Sequence, residues 1–346
     1  MMEKKEKNTY IKGAGACIVT KSILDGTSRL KWMFREDNGI GNGWCALGDS
    51  DSQAYVDDAK NLAVVDFNTL AGIEPAVWDI YFMPYGADLE FRSDAGGKYF
   101  VDVKTGAEIR EPVKHPMEAA FEKNLKFLNQ KEYPPEFFTG LFRENGRLRT
   151  VAAGEADFPS GTVVLADPLA YLGTKYQTVL KRRIPAGSYP VVLSVMESEI
   201  AGSRVAAAKF RISGRDVKAY EIAEAEGVPG KAAYTFFGVD TGTACFADQA
   251  ASEEFCRFLE KWRGENPGKN LYADYFEERF RERREDKPGD ALRRWDSLCW
   301  AIPESGRRLV MFSSGVGDGI YSGYWGLDAD GEPAELIVPF LNPEYF

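Results

Sequence analysis

The chain has 346 residues, 44% of them hydrophobic and 28% charged, with a formal net charge of −10. These proportions exclude a disordered, collagen-like or coiled-coil protein, and the length suggests two domains of about 150 residues each. Residues 1–112 carry 13 Lys and Arg against 18 Asp and Glu, leaving 30 against 35 of the chain totals of 43 and 53. Neither part has the basic footprint that neutralises phosphates, so no nucleic-acid partner is expected.

The first residues mix both charge signs through Glu3, Lys4, Lys5, Glu6 and Lys7, and no apolar signal core follows them. No apolar run approaches the about 20 residues that cross a bilayer. A cytoplasmic protein without a membrane partner is therefore expected. Cys17, Cys45, Cys245, Cys256 and Cys299 are odd in number and lack Cys-x-x-Cys spacing, the pattern of reduced core residues.

Short β-branched or aromatic runs predict strands at 16–20, 30–34, 44–47 and 62–67. A glycine-rich loop, Asn38-Gly-Ile-Gly-Asn-Gly43, precedes the third, and Asp49-Ser-Asp-Ser52 closes it. Glu74-Pro75 opens a short helix, and the runs 89–92 and 98–103 flank a hairpin turn at 94–97. The first domain, residues 1–112, is thus predicted to be α+β.

The second domain is placed at 113–346. Pro116 starts a helix in which Met117, Phe121, Leu125 and Leu128 form one apolar stripe, and Pro134-Pro135 stops it. Short strands at 162–165, 189–195, 204–212, 234–239, 298–302 and 308–312, punctuated by Gly and Pro, predict a mainly antiparallel β-sandwich-like domain or partly open barrel. A two-helix insertion interrupts it. Ser252 is placed to cap the first helix, whose Phe255, Phe258, Leu259 and Trp262 share a face; the second runs from Asn270 through Phe280 to Pro288-Gly289. The run 277–294, with seven basic and six acidic residues, reads as a solvated helix face.

The single histidine, His115, rules out a multi-histidine metal site and leaves one imidazole for any nucleophile relay. Gly315-Val-Gly-Asp-Gly319 lacks both the Lys-Ser/Thr of a phosphate loop and the spacing of a dinucleotide fingerprint. Asp240, Asp248 and Asp318 each follow a strand-like run. They could converge on a divalent cation or share a proton; equally, they could be the turn residues of a β-protein. Gly242, Gly315, Gly317 and Gly319, with Tyr321, Tyr324 and Trp44, are candidate loop or partner contacts, since exposed aromatic rings anchor partners. The same rings fit a core. Residues 311–331 as a whole suit a tight hairpin as well as a ligand site, with Tyr321 and Trp325 on one strand face and Tyr324 on the other. Asp328-Ala-Asp-Gly-Glu332 lacks the late acid of a calcium loop and reads as a hairpin turn.

Arg35-Glu-Asp37, Gly43-Trp44, Gly48-Asp49, Tyr55-Val-Asp-Asp58, Asn61 and Asp66-Phe-Asn-Thr69 resemble the bacterial family called domain of unknown function 2185, over about residues 12–104. That family is associated with immunity proteins of polymorphic toxin systems. Asp167-Pro168, Pro185-Ala-Gly-Ser-Tyr-Pro-Val191, Gly238-Val-Asp-Thr-Gly-Thr243 and residues 314–321 resemble domain of unknown function 4241, from about residue 131 to the end. The first resemblance implies an immunity-type protein that binds a protein toxin; with the acidic charge and no coherent catalytic set, a non-catalytic protein without a cofactor is expected, a divalent cation remaining the alternative. The alternative is a metal-assisted enzyme or small-ligand binder built on Asp240, Asp248 and Asp318.

Overall fold

The computed structural model describes residues 10–37, 39–130, 132–227, 235–282 and 295–346. The chain divides into two compact units, Met1–Glu118 and Ala119–Phe346. The first is α+β and the second is rich in antiparallel sheet.

In the first unit the strands are β1 (Ala16–Thr20), β2 (Leu30–Arg35), β3 (Trp44–Gly48), β4 (Leu62–Asp66), β5 (Asp88–Asp94), β6 (Gly97–Asp102) and β7 (Glu108–Ile109). They form one sheet in the order β4-β1-β3-β2-β5-β6-β7, in which β1 and β3 run parallel. The Asp66 carboxylate accepts the Asn68 amide at 2.8 Å and so caps helix Phe67–Ile73. Glu74 then caps the 3₁₀ turn Pro75–Ile80, with Pro75 in the first turn as its fixed φ favours. Phe67, Leu70, Val77 and Ile80 from these segments pack on Cys17, Val19, Met33, Ala46, Leu89 and Phe100 from one face of the sheet. Gly41, with φ +56°, brings the loop so close to β1 that a Cβ there would collide with the Ala16 carbonyl. Asn38, part of the same predicted loop, lies outside the described residues.

Helix Pro116–Leu128 leads into the second unit, where buried Asn124 donates to the Phe340 carbonyl (2.9 Å) and accepts the Asn342 amide (2.7 Å). Pro134-Pro135 does more than stop a helix: Pro135 opens another, Pro135–Leu141. The strands that follow are β8 (Leu148–Phe158), β9 (Thr162–Ala166), β10 (Thr178–Arg183), β11 (Gly187–Met196), β12 (Arg204–Arg211), β13 (Ala219–Ile222), β14 (Phe237–Val239) and β15 (Thr243–Asp248). After helix Gln249–Glu265 come β16 (Ser297–Ala301), β17 (Arg308–Ser313), β18 (Gly319–Tyr321), β19 (Tyr324–Leu327) and β20 (Pro333–Pro339).

These strands build a five-stranded sheet, β10-β9-β15-β17-β16, a six-stranded sheet, β13-β19-β20-β12-β11-β8, and a two-stranded ribbon, β14-β18. Rings from the two larger sheets interleave: Phe246 packs edge-on to Phe210 (5.1 Å) and against Phe312 (5.0 Å), and Phe210 meets Phe158 (4.8 Å). The other face of the five-stranded sheet is covered by Phe255, Phe258 and Trp262 of the long helix together with Phe276 and Phe280. Every residue of β15 is buried for this reason. The sandwich therefore carries a helical third layer.

Three expectations need correction. The long helix is capped by Asp248, not Ser252; Ser252 sits inside the first turns, buried, and donates to Gln177 Oε1 at 2.6 Å. The second insertion helix is a five-residue π turn, Tyr272–Phe276, continued by Glu277–Glu282, and the rest of the charged run to Arg294 lies outside the described residues, as does Tyr234. Residues 311–331 are not one hairpin: β17, β18 and β19 belong to three different sheets, because Ser322-Gly323 breaks the strand.

Candidate functional site

The turn between β14 and β15 is organised by a residue that lies elsewhere in the chain. Asp167, fully buried after β9, accepts the Asp240 and Thr241 amides through Oδ2 (2.9 and 2.8 Å). Its Oδ1 accepts the Thr241 hydroxyl (2.9 Å) and the Leu169 and Ala170 amides (2.9 and 3.2 Å). Five donors satisfy a buried carboxylate that would otherwise be costly. Sequence reasoning about acidic clusters passed over this residue, although Asp167-Pro168 at the end of an apolar strand was the available signal.

Asp318 reaches the same turn from β17: its Oδ1 accepts the Gly242 amide at 2.9 Å, and the Ser314 amide donates to the Gly242 carbonyl at 3.0 Å. Asp240 accepts the Tyr171 hydroxyl, and this hydrogen bond, followed by burial, raises the pKa of the phenol. Asp240 and Asp318 thus flank one turn. Asp248 does not join them. It ends β15, whose five residue steps at about 3.4 Å put it some 17 Å away, and it is fully buried, accepting the Ser160 amide (3.0 Å), the Ser160 hydroxyl (2.8 Å) and the Ala250 amide (2.8 Å). The three-residue cluster is split because the six-residue strand β15 carries Asp248 to the end opposite the turn. Among the described residues no group of three or more His, Cys, Asp or Glu is placed to hold a metal ion.

The glycines serve the backbone. Gly242, Gly315 and Gly317 have φ of +65°, +63° and +126°, and a Cβ on Gly315 would lie 2.9 Å from Phe340 Cβ. A Cβ on Gly319 would meet the Tyr321 ring at 3.0 Å. The Tyr321 hydroxyl lies 2.8 Å from the Gly317 carbonyl and closes the loop; burial pushes its pKa up. Tyr321, Tyr324 and Trp325 are all buried, as is Trp44, so these rings are core residues and not exposed partner contacts. Trp44 donates its Nε1–H to the Tyr81 carbonyl at 3.2 Å.

In the first unit, the motif residues also hold loops. Arg35 donates to the Asn42 and Met83 carbonyls (3.0 and 2.5 Å) and stacks over Tyr85, 4.8 Å from its centroid. Asp51 accepts the Gly48 amide (2.6 Å) and the Ser22 hydroxyl (2.5 Å). Asp49 accepts the Arg29 amide (3.1 Å) and the Ser28 hydroxyl (2.8 Å), bonds that hold its pKa below the usual carboxylate value.

Beside Thr241 lies a cavity of about 510 Å³ whose lining includes Leu169, Trp262 and Leu271 together with Arg263 and Lys269. Among the described residues no helix is long and apolar enough to cross a membrane.

The fold defines a two-unit α+β protein with a sheet-rich C-terminal unit. The family model described as "Protein of unknown function (DUF4241)" matches residues 156–338, more than half of the chain, and the chain belongs to that family. A second model, described as "Immunity protein Imm33 domain", matches residues 17–102. The N-terminal domain is therefore of the immunity type, under that designation and not the number 2185. No curated protein and no solved structure matches the chain.

Proposed function

We infer that this is a non-catalytic immunity protein, acting in the cytoplasm, whose N-terminal unit binds a protein toxin and neutralises it by covering the toxin's working surface. The observation that carries this reading is the Imm33 match over residues 17–102, nearly the whole seven-stranded sheet. The net charge of −10 supports it, because an acidic surface steers a basic partner. Coexpression in bacteria with the toxin domain encoded beside its gene tests the reading. Restored growth supports it; unchanged killing by a well-expressed pair of proteins sinks it.

One observation favours a second reading for the C-terminal unit. The cavity beside Thr241 is lined by Leu169, Trp262 and Leu271 together with the cations Arg263 and Lys269, a mix of apolar and charged groups that small-ligand sites use. A thermal-shift screen of divalent cations and anionic metabolites tests it, since a ligand bound only by the folded state raises Tm. The reading fails if no compound stabilises the wild type more than an Arg263→Ala, Lys269→Ala variant.

A further inference from the structure

Residues paired directly across neighbouring strands point to the same side of a sheet. In the first unit the pairs Val64–Ile18, Ile18–Cys45, Cys45–Phe34 and Phe34–Asp88 therefore run as one row across β4, β1, β3, β2 and β5. The pairs Leu47–Trp32, Trp32–Glu90 and Glu90–Val101 form the next row on that side. This is the face opposite the core. The core of the unit draws on Cys17, Val19, Met33, Ala46 and Leu89, the alternate positions, and none of Ile18, Phe34, Leu47 or Val64 belongs to it.

A strand of a sheet with one open face normally alternates apolar and polar residues. Here β1 (Ala-Cys-Ile-Val-Thr) and β3 (Trp-Cys-Ala-Leu-Gly) are apolar on both sides, the composition of strands covered by two layers. The helix Phe67–Ile73 and the turn Pro75–Ile80 pack on the opposite, core face. Val64 is 60% exposed and Trp32 39%. Between them Ile18, Phe34 and Leu47 are half-buried and only Cys45 is buried, and apolar surface left partly open in this way marks an interaction site.

The charges at its border indicate the partner. Lys31 and Arg92 both pair with Glu90 (2.6 and 2.5 Å), and Arg110 pairs with Asp94 and Glu108 (2.6 and 2.7 Å). Lys31, Arg92 and Arg110 are thus already matched, whereas Asp88, next to Phe34 in the row, makes no ion pair among the described residues. We propose that the Ile18–Trp32–Phe34–Val64 face is the docking surface for the toxin, and that the toxin presents an apolar ridge flanked by Lys or Arg. This proposal rests on the immunity reading and names the surface that performs it.

The test uses the full chain and the purified toxin domain encoded beside its gene. A Trp32→Glu, Val64→Lys variant is expected to raise Kd at least 100-fold and abolish protection from killing, while Ile73→Lys, an equally exposed change (47%) on the helix covering the other face, leaves both unchanged. Asp88→Lys is expected to weaken binding about tenfold at low salt and to flatten its salt dependence. Hydrogen exchange gives a readout independent of mutation: amides of β2 and β4 should gain protection in the complex. Toxin binding by the wild type that the double variant retains within threefold, with no protection of β2 and β4, overturns the docking face alone. Failure of the wild type to bind or protect overturns the immunity reading itself. A wild-type dimer that Trp32→Glu converts to monomer assigns the face to a second copy of the chain and likewise overturns the proposal.

Discussion

The Asp318 carboxylate accepts the Gly242 amide at 2.9 Å across 76 residues of sequence. That bond ties the loop after β17 to the turn before β15, but the turn's shape is set beneath it by buried Asp167. Stability should therefore depend on the two carboxylates very unequally. Asp318→Ala is expected to cost about 1 kcal/mol or less, the worth of a partly solvated hydrogen bond. Asp167→Ala strands several buried donors at once and should cost about 3 kcal/mol or more. Urea unfolding monitored by tryptophan fluorescence compares them; equal losses would contradict this division of roles.

Asp248 gives a second contrast. It caps helix Gln249–Glu265 and holds Ser160, so Asp248→Ala should destabilise by about 1–2 kcal/mol from the cap alone. Ser252→Ala removes only a bond to Gln177 and leaves the cap intact. Calcium or magnesium should change the Tm of neither variant differently from that of the wild type. A cation-induced rise in Tm that Asp248→Ala abolishes would restore the metal reading.

Glycine replacements should separate strain from collision. Gly41 and Gly106 both have positive φ, +56° and +72°, but only Gly41 faces backbone where a Cβ would go. Gly106→Ala is expected to cost about 1–2 kcal/mol from the left-handed conformation. Gly41→Ala adds a clash with the Ala16 carbonyl and should cost distinctly more, read as a larger drop in the urea midpoint.

The buried thiols predict an alkaline limit to stability. Burial, with smaller contributions from Cys45 and Asp66, pushes Cys17 up to about 12, and burial with Glu36 pushes Cys45 up to about 11. An unfolded thiol titrates near about 8.5. Between roughly pH 9 and 11 the unfolded state has lost protons that the folded state keeps, so this contribution is full below pH 8.5 and falls as pH rises. The urea midpoint of the wild type should fall more steeply above pH 9 than that of Cys17→Ala. At pH 8 both thiols should resist alkylation in the native protein and react after unfolding.

The fold class was legible because strand signals are local. Runs such as Thr162–Ala166 and Trp44–Gly48 are short, apolar and bounded by turn residues, and each became a strand. The helix caps were less legible. Asp248 and Ser252 are both good capping residues, and the choice fell to Asp248 because the strand ahead of it ends there. The four-residue spacing of Tyr321 and Trp325 suits one strand face, but Ser322-Gly323 sends them into different sheets, a break that Gly alone does not announce.

By itself the sequence determined the acidic charge, the α+β composition, the exclusion of a multi-histidine site and the alternation that makes each strand two-faced. It could not say which carboxylates meet, since that depends on strand direction and length: Asp240 and Asp318 flank one turn, while the six residues of β15 carry Asp248 to the opposite end. Nor could it say which face of a strand is covered. Ile18 and Val19 are chemically alike and adjacent, and only the packing of Phe67 and Val77 on one side of the sheet makes Val19 core and leaves Ile18 facing outward.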